Sequence, residues 1–392
     1  MLLGALDLDR GRWLLVLQVA SELLVSAVVE DGGGFRRASP GDGVMDELLA
    51  RTATGREQNG FTFRRLGAIG SWSGETSIEV DQSNESVVVG EAAVVKRFVW
   101  TVPGNERSML LPAHIVAAGF DEMPAPLGNA GWRHADGIAP LASISSYLPG
   151  ARDGWDWYVE LLERSLEDRS LDAIGPAAAL GAITGRLHGA LATPTDILPA
   201  PSAAAGGDTV AGWRRSAVAD LDIAIASIDG EEGGRLRERA AAVRGELQEL
   251  RTSETISIPI HGDLHVGQFL RWRDGLAVSD LDGDPLGPGT LRASPAKDVA
   301  SLVQSLDHVG RIVERKRGGS EAGWIREASD ACLESYRSEL AALGASSLFD
   351  ERLTRPFRVA QELHEFVYAV RYLPSWRYVP DRALAAILDG AS

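Results

Sequence analysis

The residues of this sequence that can do chemistry gather in the stretch H-G-D-L-H-V-G-Q and in the D-L-D-G-D that follows it. Asp263 stands five residues before Gln268, which reproduces the D-x-x-x-x-N spacing of kinase catalytic loops, where the Asp accepts the proton of the acceptor hydroxyl. Mg²⁺ prefers hard oxygen ligands and takes one or two carboxylates from protein. Gln268 and Asp280 can supply such oxygens, with Asp282 as a third ligand. The spacing therefore predicts a phosphoryl-transfer site for a Mg²⁺–nucleotide, with Asp263 as its catalytic base.

Strand patterns surround these residues and must position them. Ser257-Ile258-Pro259-Ile260 precedes the first motif, and Phe269-Leu270-Arg271-Trp272 lies between the two motifs. A turn–strand–turn unit of this kind brings the Asp, the amide and the later acids together. The alternative is an ordinary hairpin with acidic turns, and the spacing of two motifs in one context argues against it.

Lysine is rare in this chain, and one lysine stands out. Of the 39 basic residues only Lys96, Lys297 and Lys316 are lysines. Lys96 interrupts an apolar strand pattern, where a charged side chain is costly unless it has a partner or a function. Kinases use a strand lysine to hold the α- and β-phosphates and pair it with a helix glutamate. Glu106, at the start of the next predicted helix, is the candidate partner; stabilisation of the helix dipole is its alternative role.

Two further segments are predicted to contact the nucleotide by their order along the chain. The turn that contains Ser83 and Asn84 precedes the Lys96 strand, where kinases place a loop over the phosphates; an ordinary polar turn is the alternative. The strand that leaves the small lobe becomes the hinge for the adenine edge in such enzymes. Ser146, Tyr147 and Leu148 fit that place.

The pattern of elements predicts an α+β fold. Residues 1–60 alternate short strands with Gly-rich turns, residues 61–148 carry further strands and one helix, and residues 149–392 are mainly helical. We interpret these as an N-terminal β-rich module, a small lobe, and a helical lobe with the catalytic loop and the acceptor site.

Composition limits the possible partners and compartment. The formal net charge is −16, which disfavours nucleic-acid binding in the absence of a basic patch and suits a cationic ligand. The single cysteine, Cys332, permits no disulfide framework within the chain and fits a reducing compartment. The N-terminus lacks signal-peptide features and no apolar run is long enough to span a membrane, so a cytoplasmic protein is expected.

The two motifs resemble those of the aminoglycoside-phosphotransferase-like kinases, and within them the actinobacterial maltokinase-like group with its glucosamine kinase relatives. Maltokinases have a Gln after the H-G-D motif and then D-F-E-G-E-P; this chain reads D-L-D-G-D-P from Asp280 to Pro285. The resemblance covers nearly the whole chain. It implies a bilobal, protein-kinase-like fold whose N-terminal module is a cap, and it implies ATP and Mg²⁺ as cofactors.

The resemblance also places the acceptor site on two late helices. Asp298 corresponds to the R-D-V-A helix start that faces the acceptor pocket in related kinases. Gln361, Glu365 and Tyr368 lie on one predicted helical face, followed by Trp376, where maltokinases read K-A-L-Y-E-V-x-Y and then R-P-D-W. Solvated surface is the alternative for this face.

Gln361 replaces the lysine of maltokinases and so removes a positive charge beside Glu365 and Asp298. An acidic cluster without a compensating charge is costly unless a cation arrives. A protonated amino sugar supplies one. We therefore expect a glucosamine kinase that forms glucosamine 6-phosphate.

Three alternatives to glucosamine phosphorylation remain. The first is a maltokinase that forms maltose 1-phosphate, and the second is another small-molecule kinase of this group, such as one acting on antibiotics. The third, of a different class, is a pseudokinase-type binding module, against which the four residues Lys96, Asp263, Gln268 and Asp280 argue. The partner is then a small molecule, and the protein is a monomer or a homodimer.

Overall fold

The computed structural model describes residues 1–78, 84–250, 255–273, 275–283 and 291–390. The chain divides into two compact units. The N-terminal unit comprises Met1–Ala151 with Leu281–Gly289, and the C-terminal unit comprises Arg152–Asp280 with Thr290–Ser392. Ser83, which was predicted to contact the nucleotide, lies outside the described residues.

The N-terminal unit is mainly β-structure. In chain order its elements are β1 (Leu2–Asp7), β2 (Arg12–Val19), β3 (Glu22–Asp31), β4 (Gly34–Arg37), α1 (Val44–Thr54), β5 (Phe61–Arg65), β6 (Glu75–Ser77), β7 (Glu85–Val89), β8 (Ala93–Arg97), β9 (Trp100–Thr101), α2 (Arg107–Ala117), β10 (Pro126–His134) and β11 (Gly137–Ser146).

The first sheet is an antiparallel meander, β1-β2-β3-β4, with β9 paired to β3. Alternate residues of β3 are buried, from Leu23 to Val29, as expected for a strand with one face in the core. Gly32 and Gly33, both with positive φ, make the tight turn into β4. This Gly-rich turn was predicted from the sequence, whereas the short strand β4 that follows it was not.

The second sheet has the order β5-β10-β11-β8-β7-β6. Lys96 lies on β8, in register with Ser86 of β7 on one side and Ser143 of β11 on the other. One core of buried apolar side chains draws on both sheets and on α1. The predicted boundary at residue 60 falls within this unit and stays a prediction.

The C-terminal unit is mainly helical. Its elements are α3 (Gly154–Glu167), α4 (Gly175–Ala192), β12 (Ala203–Ala205), α5 (Gly207–Ser227), α6 (Gly230–Leu247), β13 (Thr255–Pro259), β14 (Phe269–Trp272), β15 (Gly275–Val278), β16 (Arg292–Ala293), α7 (Pro295–Arg317), α8 (Ala322–Ala342), α9 (Thr354–Arg371) and α10 (Tyr378–Leu388).

Helices α4 and α8 approach very closely because a glycine lies at their contact. A methyl group at Gly181 would lie 2.0 Å from the carbonyl oxygen of Cys332, so only glycine fits there. Cys332 is buried as predicted, and burial raises the pKa of its thiol to about 12. The thiol is therefore a core group and not a nucleophile.

Two features of the C-terminal unit differ from the sequence prediction. Helix α9 begins at Thr354 because residues Glu351–Leu353 form a separate 3-10 turn. Helix α10 was missed, since Pro380 interrupts its pattern; a proline in the first turn of a helix removes no intrahelical hydrogen bond. Among the described residues, no helix is long and apolar enough to cross a membrane.

Candidate active site

The β14–β15 hairpin brings Gln268 close to Ser279 and Asp280, which lie eleven and twelve residues later in the sequence. Phe269 pairs with Val278, so Gln268 and Ser279 meet at the open end of the hairpin. The carbonyl of Gln268 accepts hydrogen bonds from the backbone N–H of Ser279 at 2.8 Å and from its hydroxyl at 3.1 Å. Gln268 and Asp280 therefore leave the same end of one hairpin, as the turn–strand–turn pattern predicted.

The histidine of the H-G-D motif is a structural residue of this hairpin and loop. His261 is fully buried; its Nε2 donates to the carbonyl of Ser279 at 2.8 Å, and its Nδ1 accepts from the N–H of Asp263 at 3.4 Å. Burial lowers the pKa of His261, despite the neighbouring acids, so the ring stays neutral at neutral pH. The neutral ring joins the end of β15 to the loop that carries Asp263.

Asp298 anchors the same loop and does not face an open acceptor pocket. Its carboxylate accepts from the backbone N–H of His261 at 2.6 Å and of Gly262 at 2.8 Å, and it lies 3.2 Å from Nε2 of His188. Only 1% of Asp298 is exposed. Both carboxylate oxygens of Asp298 are thus bonded within the C-terminal unit, and its predicted contact with the amino sugar stays a prediction.

The ionisation of Asp298 follows from these contacts. Burial opposes the charged form, but the hydrogen bond and charge of His188 and the N–H of Gly262 outweigh it and hold the pKa of Asp298 below its usual value. Asp298 thus remains an anion that fixes the backbone of the H-G-D loop. Asp263 itself keeps about a third of its side chain exposed, at 34%, so it can reach a substrate.

Gln268 and Asp280 fit a Mg²⁺ site by their donor chemistry. An amide oxygen and a carboxylate are the hard oxygen ligands that this ion prefers. Asp280 also has a φ of +63°, a left-handed conformation that is uncommon for residues other than glycine and often marks functional sites. No group of three or more His, Cys, Asp or Glu side chains suited to a metal occurs in the described part of the chain.

Within the N-terminal unit, Lys96 is paired with an acid other than the one predicted. The ammonium nitrogen of Lys96 lies 2.6 Å from Oδ2 of Asp282. Glu106 instead accepts a hydrogen bond from the N–H of Ile138 at 3.4 Å and stands at the cap position of α2. The Lys96–Glu106 ion pair stays a prediction, and the alternative helix-start role of Glu106 agrees with its place at the cap of α2.

The segment around Asp282 is fixed by α2. Arg107 is buried and donates from Nε to the carbonyl of Leu281 at 2.9 Å. A methyl group on Gly283, which has a positive φ, would lie 2.9 Å from the same Arg107 nitrogen. The D-L-D-G run is therefore held where Asp282 meets Lys96. A role for Asp282 as a third metal ligand stays a prediction.

The predicted nucleotide contacts of the N-terminal unit remain untested, but their backbone groups are partly engaged. The N–H of Ser146 donates to Ala125 at 2.8 Å, and that of Tyr147 donates to Ala92 at 3.2 Å. These two amides are therefore not donors to an adenine, and Leu148 keeps its predicted place. The side-chain carbonyl of Asn84 accepts from Val99 at 3.3 Å, so a phosphate contact by Asn84 would use its NH₂ group.

The predicted acceptor face is present on α9. Gln361 donates to Glu365 at 3.2 Å, and both side chains are half-buried. The rings of Tyr368 and Tyr372 are 5.1 Å apart. Trp376 lies in the 3-10 turn Pro374–Trp376 that follows α9. This arrangement gives a polar, aromatic surface. It contains Glu365, one of the two carboxylates predicted to bind the amino group.

Sequence analysis missed a group of aromatic and charged side chains beside this face. Trp155 stacks with His265 and with His308, and Trp376 meets both Trp155 and His308 edge-on. His308 lies 3.0 Å from the buried carboxylate of Glu362. Burial disfavours charge on His308, but the charge and hydrogen bond of Glu362 prevail and raise the pKa of His308 to about 9. In the sequence, this group was indicated only by the stretch Asp153-Gly154-Trp155, which begins a predicted helix.

The α+β fold and the H-G-D loop with its amide and acidic partners define a phosphotransferase of the small-molecule kinase class. Comparison with known proteins is more specific. The chain is 41% identical to a glucosamine kinase from Streptacidiphilus jiangxiensis over 408 aligned positions, which cover 98% of this chain and 90% of that one. It is 37% identical to a glucosamine kinase from Mycolicibacterium smegmatis over 413 positions, which cover 99% and 98%. No protein-family profile matches the chain.

Solved structures agree with the sequence relatives. A structure of a glucosamine kinase in complex with glucosamine, ADP and inorganic phosphate superposes with a TM-score of 0.82 at 39% identity, covering 99% of this chain and 93% of that one. A second crystal form of a glucosamine kinase gives a TM-score of 0.84 at the same identity. The chain belongs to the glucosamine kinase family. The α+β fold class and the enzyme class predicted from the sequence are confirmed, and glucosamine is favoured over the maltokinase alternative.

Proposed function

We propose that this protein is an ATP- and Mg²⁺-dependent kinase that transfers the γ-phosphoryl group to a hydroxyl of glucosamine, most simply the 6-hydroxyl. The observation that carries the proposal is the similarity over nearly the whole chain to glucosamine kinases, one of them solved with glucosamine and ADP. The primary hydroxyl is the least hindered acceptor of the sugar. The single cysteine fits a reducing compartment, and we place the enzyme in the cytoplasm.

The reaction needs a base for the acceptor hydroxyl, and Asp263 takes that role. The hydroxyl oxygen attacks the γ-phosphorus, the bond from that phosphorus to the bridging oxygen of ADP breaks, and the hydroxyl proton passes to the Asp263 carboxylate. Asp298 and His261 fix the backbone of the loop, so the base is held in one position before the substrate arrives.

Charge on the transferred group must be neutralised. Gln268 and Asp280 are the residues that would hold Mg²⁺, and this ion, when bound, stabilises negative charge on the phosphate oxygens. Lys96 supplies a second positive charge for the phosphates, with Asp282 fixing the position of its ammonium. Ser83, Asn84, Ser146, Tyr147 and Leu148 stay candidate nucleotide contacts, with Ser146 and Tyr147 using groups other than their N–H.

Recognition of the amino group rests on Glu365. Gln361 holds one oxygen of this carboxylate and carries no charge of its own, so a protonated amino sugar can balance it. Tyr368 and Trp376 add aromatic surface of the kind that packs against sugar rings. Asp298, whose oxygens are bonded to the H-G-D loop, stays a candidate for the same contact.

The proposal is tested by phosphoryl transfer from ATP with Mg²⁺ to glucosamine, glucose, N-acetylglucosamine, maltose and an aminoglycoside. We expect glucosamine to be the best acceptor and phosphorus NMR of the product to place the phosphate on the 6-oxygen. The Asp263→Asn variant should lose transfer by about 10²- to 10⁴-fold, the usual contribution of a general base. Maltose as the best acceptor would identify a maltokinase, and no acceptor at all with retained ATP binding would identify a binding module.

A further inference from the structure

The first turn of α3 is packed unusually tightly against the catalytic loop. A methyl group on Gly154 would lie 1.6 Å from the carbonyl oxygen of Val266, and one on Gly267 would lie 2.6 Å from the indole of Trp155. Neither position has room for any side chain other than hydrogen. The start of α3 and the 3-10 turn Val266–Gln268 therefore touch through backbone and one indole ring, with no flexible side chain between them.

His265 is held in this contact by two independent interactions. Its ring stacks with the Trp155 indole, with 5.6 Å between ring centroids and 27° between planes. Its Nδ1 accepts the backbone N–H of Gly267 at 3.1 Å. A ring nitrogen that accepts a hydrogen bond carries no proton, so the proton of the neutral imidazole is on Nε2.

That Nε2 lies between two residues of the proposed mechanism. It is 4.0 Å from Oδ2 of Asp263 and 3.4 Å from the side-chain amide of Gln268. The 4.0 Å separation is too long for a hydrogen bond, but such contacts often shorten when substrate binds. The amide nitrogen of Gln268 is the atom placed against His265, but the amide has two orientations of the same shape. With nitrogen and oxygen exchanged, the oxygen accepts from the Nε2–H and keeps its second lone pair for Mg²⁺.

Trp155 is itself fixed from a second direction. It stacks with His308, with 6.5 Å between centroids and 13° between planes, and it meets Trp376 edge-on at 6.3 Å. His308 and Glu362 are a buried ion pair at 3.0 Å. The indole is thus held between His265 of the catalytic loop, His308 of α7 and Trp376 of the turn after α9.

We propose that Trp155 and His265 are positioning residues for phosphoryl transfer, with the indole holding the imidazole so that its Nε2–H faces Asp263 and Gln268. The inference rests on the proposed role of Asp263 as the base. His265 orients Asp263 and the amide of Gln268 by donating a hydrogen bond from Nε2. Trp155 acts only by holding His265 in place.

Two substitutions of His265 distinguish loss of the Nε2–H donor from disruption of the local structure. His265→Asn keeps an oxygen that can accept the Gly267 N–H, as Asn does in turns and caps, but it has no donor near Nε2. His265→Gln keeps an amide N–H close to the Nε2 position. We expect His265→Asn to lower kcat by about 10- to 100-fold, as small misplacements of catalytic groups do, and His265→Gln to recover most of it. The KM for ATP should change little in both variants.

For Trp155, the Phe variant keeps an aromatic ring on His265, whereas the Ala variant removes it. We expect Trp155→Ala to lower kcat like His265→Asn, Trp155→Phe to retain most activity, and Trp155→Ala to add no further loss in a His265→Asn background. Trp213→Ala is the matched control, because Trp213 is another half-buried tryptophan of the C-terminal unit, packed on Phe357. It should lower the Tm without a selective fall in kcat.

Wild-type kcat in His265→Asn would overturn the inference, as would equal losses in the Asn and Gln variants or a fall in kcat of Trp213→Ala as large as that of Trp155→Ala. If Trp155→Ala does not fold, the His265 pair decides alone. Failure of the wild-type enzyme to phosphorylate glucosamine would refute the proposed function instead, and this is measured first.

Discussion

Lys96 on β8 and Asp282 form an ion pair in which the ammonium nitrogen lies 2.6 Å from a carboxylate oxygen. The acid that contacts this lysine thus belongs to the D-L-D-G run, whereas the partner expected from protein kinases was the helix glutamate Glu106. Both side chains are mostly buried, at 19% and 21% exposed. Solvent screening is weak at such a place, so the pair can fix the ammonium firmly.

The Lys96→Met variant tests this lysine, with Glu106→Gln as its matched control. We expect Lys96→Met to lower kcat/KM for ATP by about 10²-fold, the usual effect of removing one preorganised contact to developing charge. Glu106→Gln should stay close to wild type, because Lys96 already has the Asp282 carboxylate as its partner. Steady-state kinetics with varied ATP measure both. An equal loss in the two variants would support the Lys96–Glu106 pairing.

Loss of the Asp298 carboxylate should destabilise the protein and slow transfer together. Asp298→Ala leaves two buried backbone N–H groups without their acceptor, at a cost of about 1–3 kcal/mol each. Chemical denaturation measures the free energy of unfolding, and Asp330→Ala, at an exposed position of α8, is the control. A variant with wild-type stability would show that Asp298 is not the anchor of the H-G-D loop.

Asp298 also gives the protein an acid-sensitive term. Its folded-state pKa is lowered, so its contribution to stability is present above the usual value of 3.8 and is lost as the pH falls through the folded-state pKa. We therefore expect wild-type stability to fall more steeply than that of Asp298→Asn below pH 3.8. Parallel curves in acid would contradict the lowered pKa.

The His308–Glu362 pair should make the stability of the protein depend on pH in the alkaline range. The pKa of His308 is raised from 6.5 to about 9, so its contribution is complete below 6.5 and is lost as the pH rises through about 9. Glu365 and Asp307 add to the negative field around His308. Burial raises the pKa of Glu362 to about 7, so the pair is only partly ionised at neutral pH. Glu362→Gln should then destabilise the protein by less than about 3–5 kcal/mol, the cost of breaking a fully ionised buried pair.

Thermal unfolding from pH 6.5 to about 9 measures this effect. The Tm of wild type should fall across that window, and the Tm of Glu362→Gln should start lower and change less. Glu334→Gln, at an exposed position of α8, should follow the wild-type curve. If the Tm of wild type and of Glu362→Gln changes with pH in parallel, the loss of stability comes from groups other than the His308–Glu362 pair.

Acceptor preference should depend on Glu365. Glu365→Gln removes the charge that is expected to bind the ammonium of glucosamine, so transfer to glucosamine should weaken more than transfer to glucose. Gln361→Lys should act in the same direction, because it restores a positive charge beside Glu365, as in maltokinases. The ratio of kcat/KM for the two sugars measures the preference. An unchanged ratio in both variants would place the amino group elsewhere.

The parts of the site that local pattern determines were predictable. Period-two apolar residues placed Lys96 on a strand, and paired strand patterns placed Gln268 and Asp280 at one end of a hairpin. Apolar periodicity likewise predicted α3 to α9 with small errors at their ends. These features depend on residues close in sequence, so a single sequence contains them.

The parts that were not predictable depend on contacts distant in sequence. Asp298 at a helix start has the same local pattern whether it stabilises the dipole, lines a pocket or anchors a loop, and its partners His261 and Gly262 lie 37 and 36 residues away. Trp155 at the start of a helix predicts only a core position. Its role emerges from His265 and His308, which no local pattern connects to it.

The return of the chain to the N-terminal unit at Leu281 has a consequence for biosynthesis. Roughly 130 residues separate Ala151 from Leu281, yet Arg107 binds the carbonyl of Leu281 and Lys96 binds Asp282. At a translation rate of about 5–20 residues per second, strand β8 leaves the ribosome on the order of ten seconds before its acidic partner. Lys96 is therefore synthesised before Asp282, and a product truncated at Ala151 would lack Asp282 altogether.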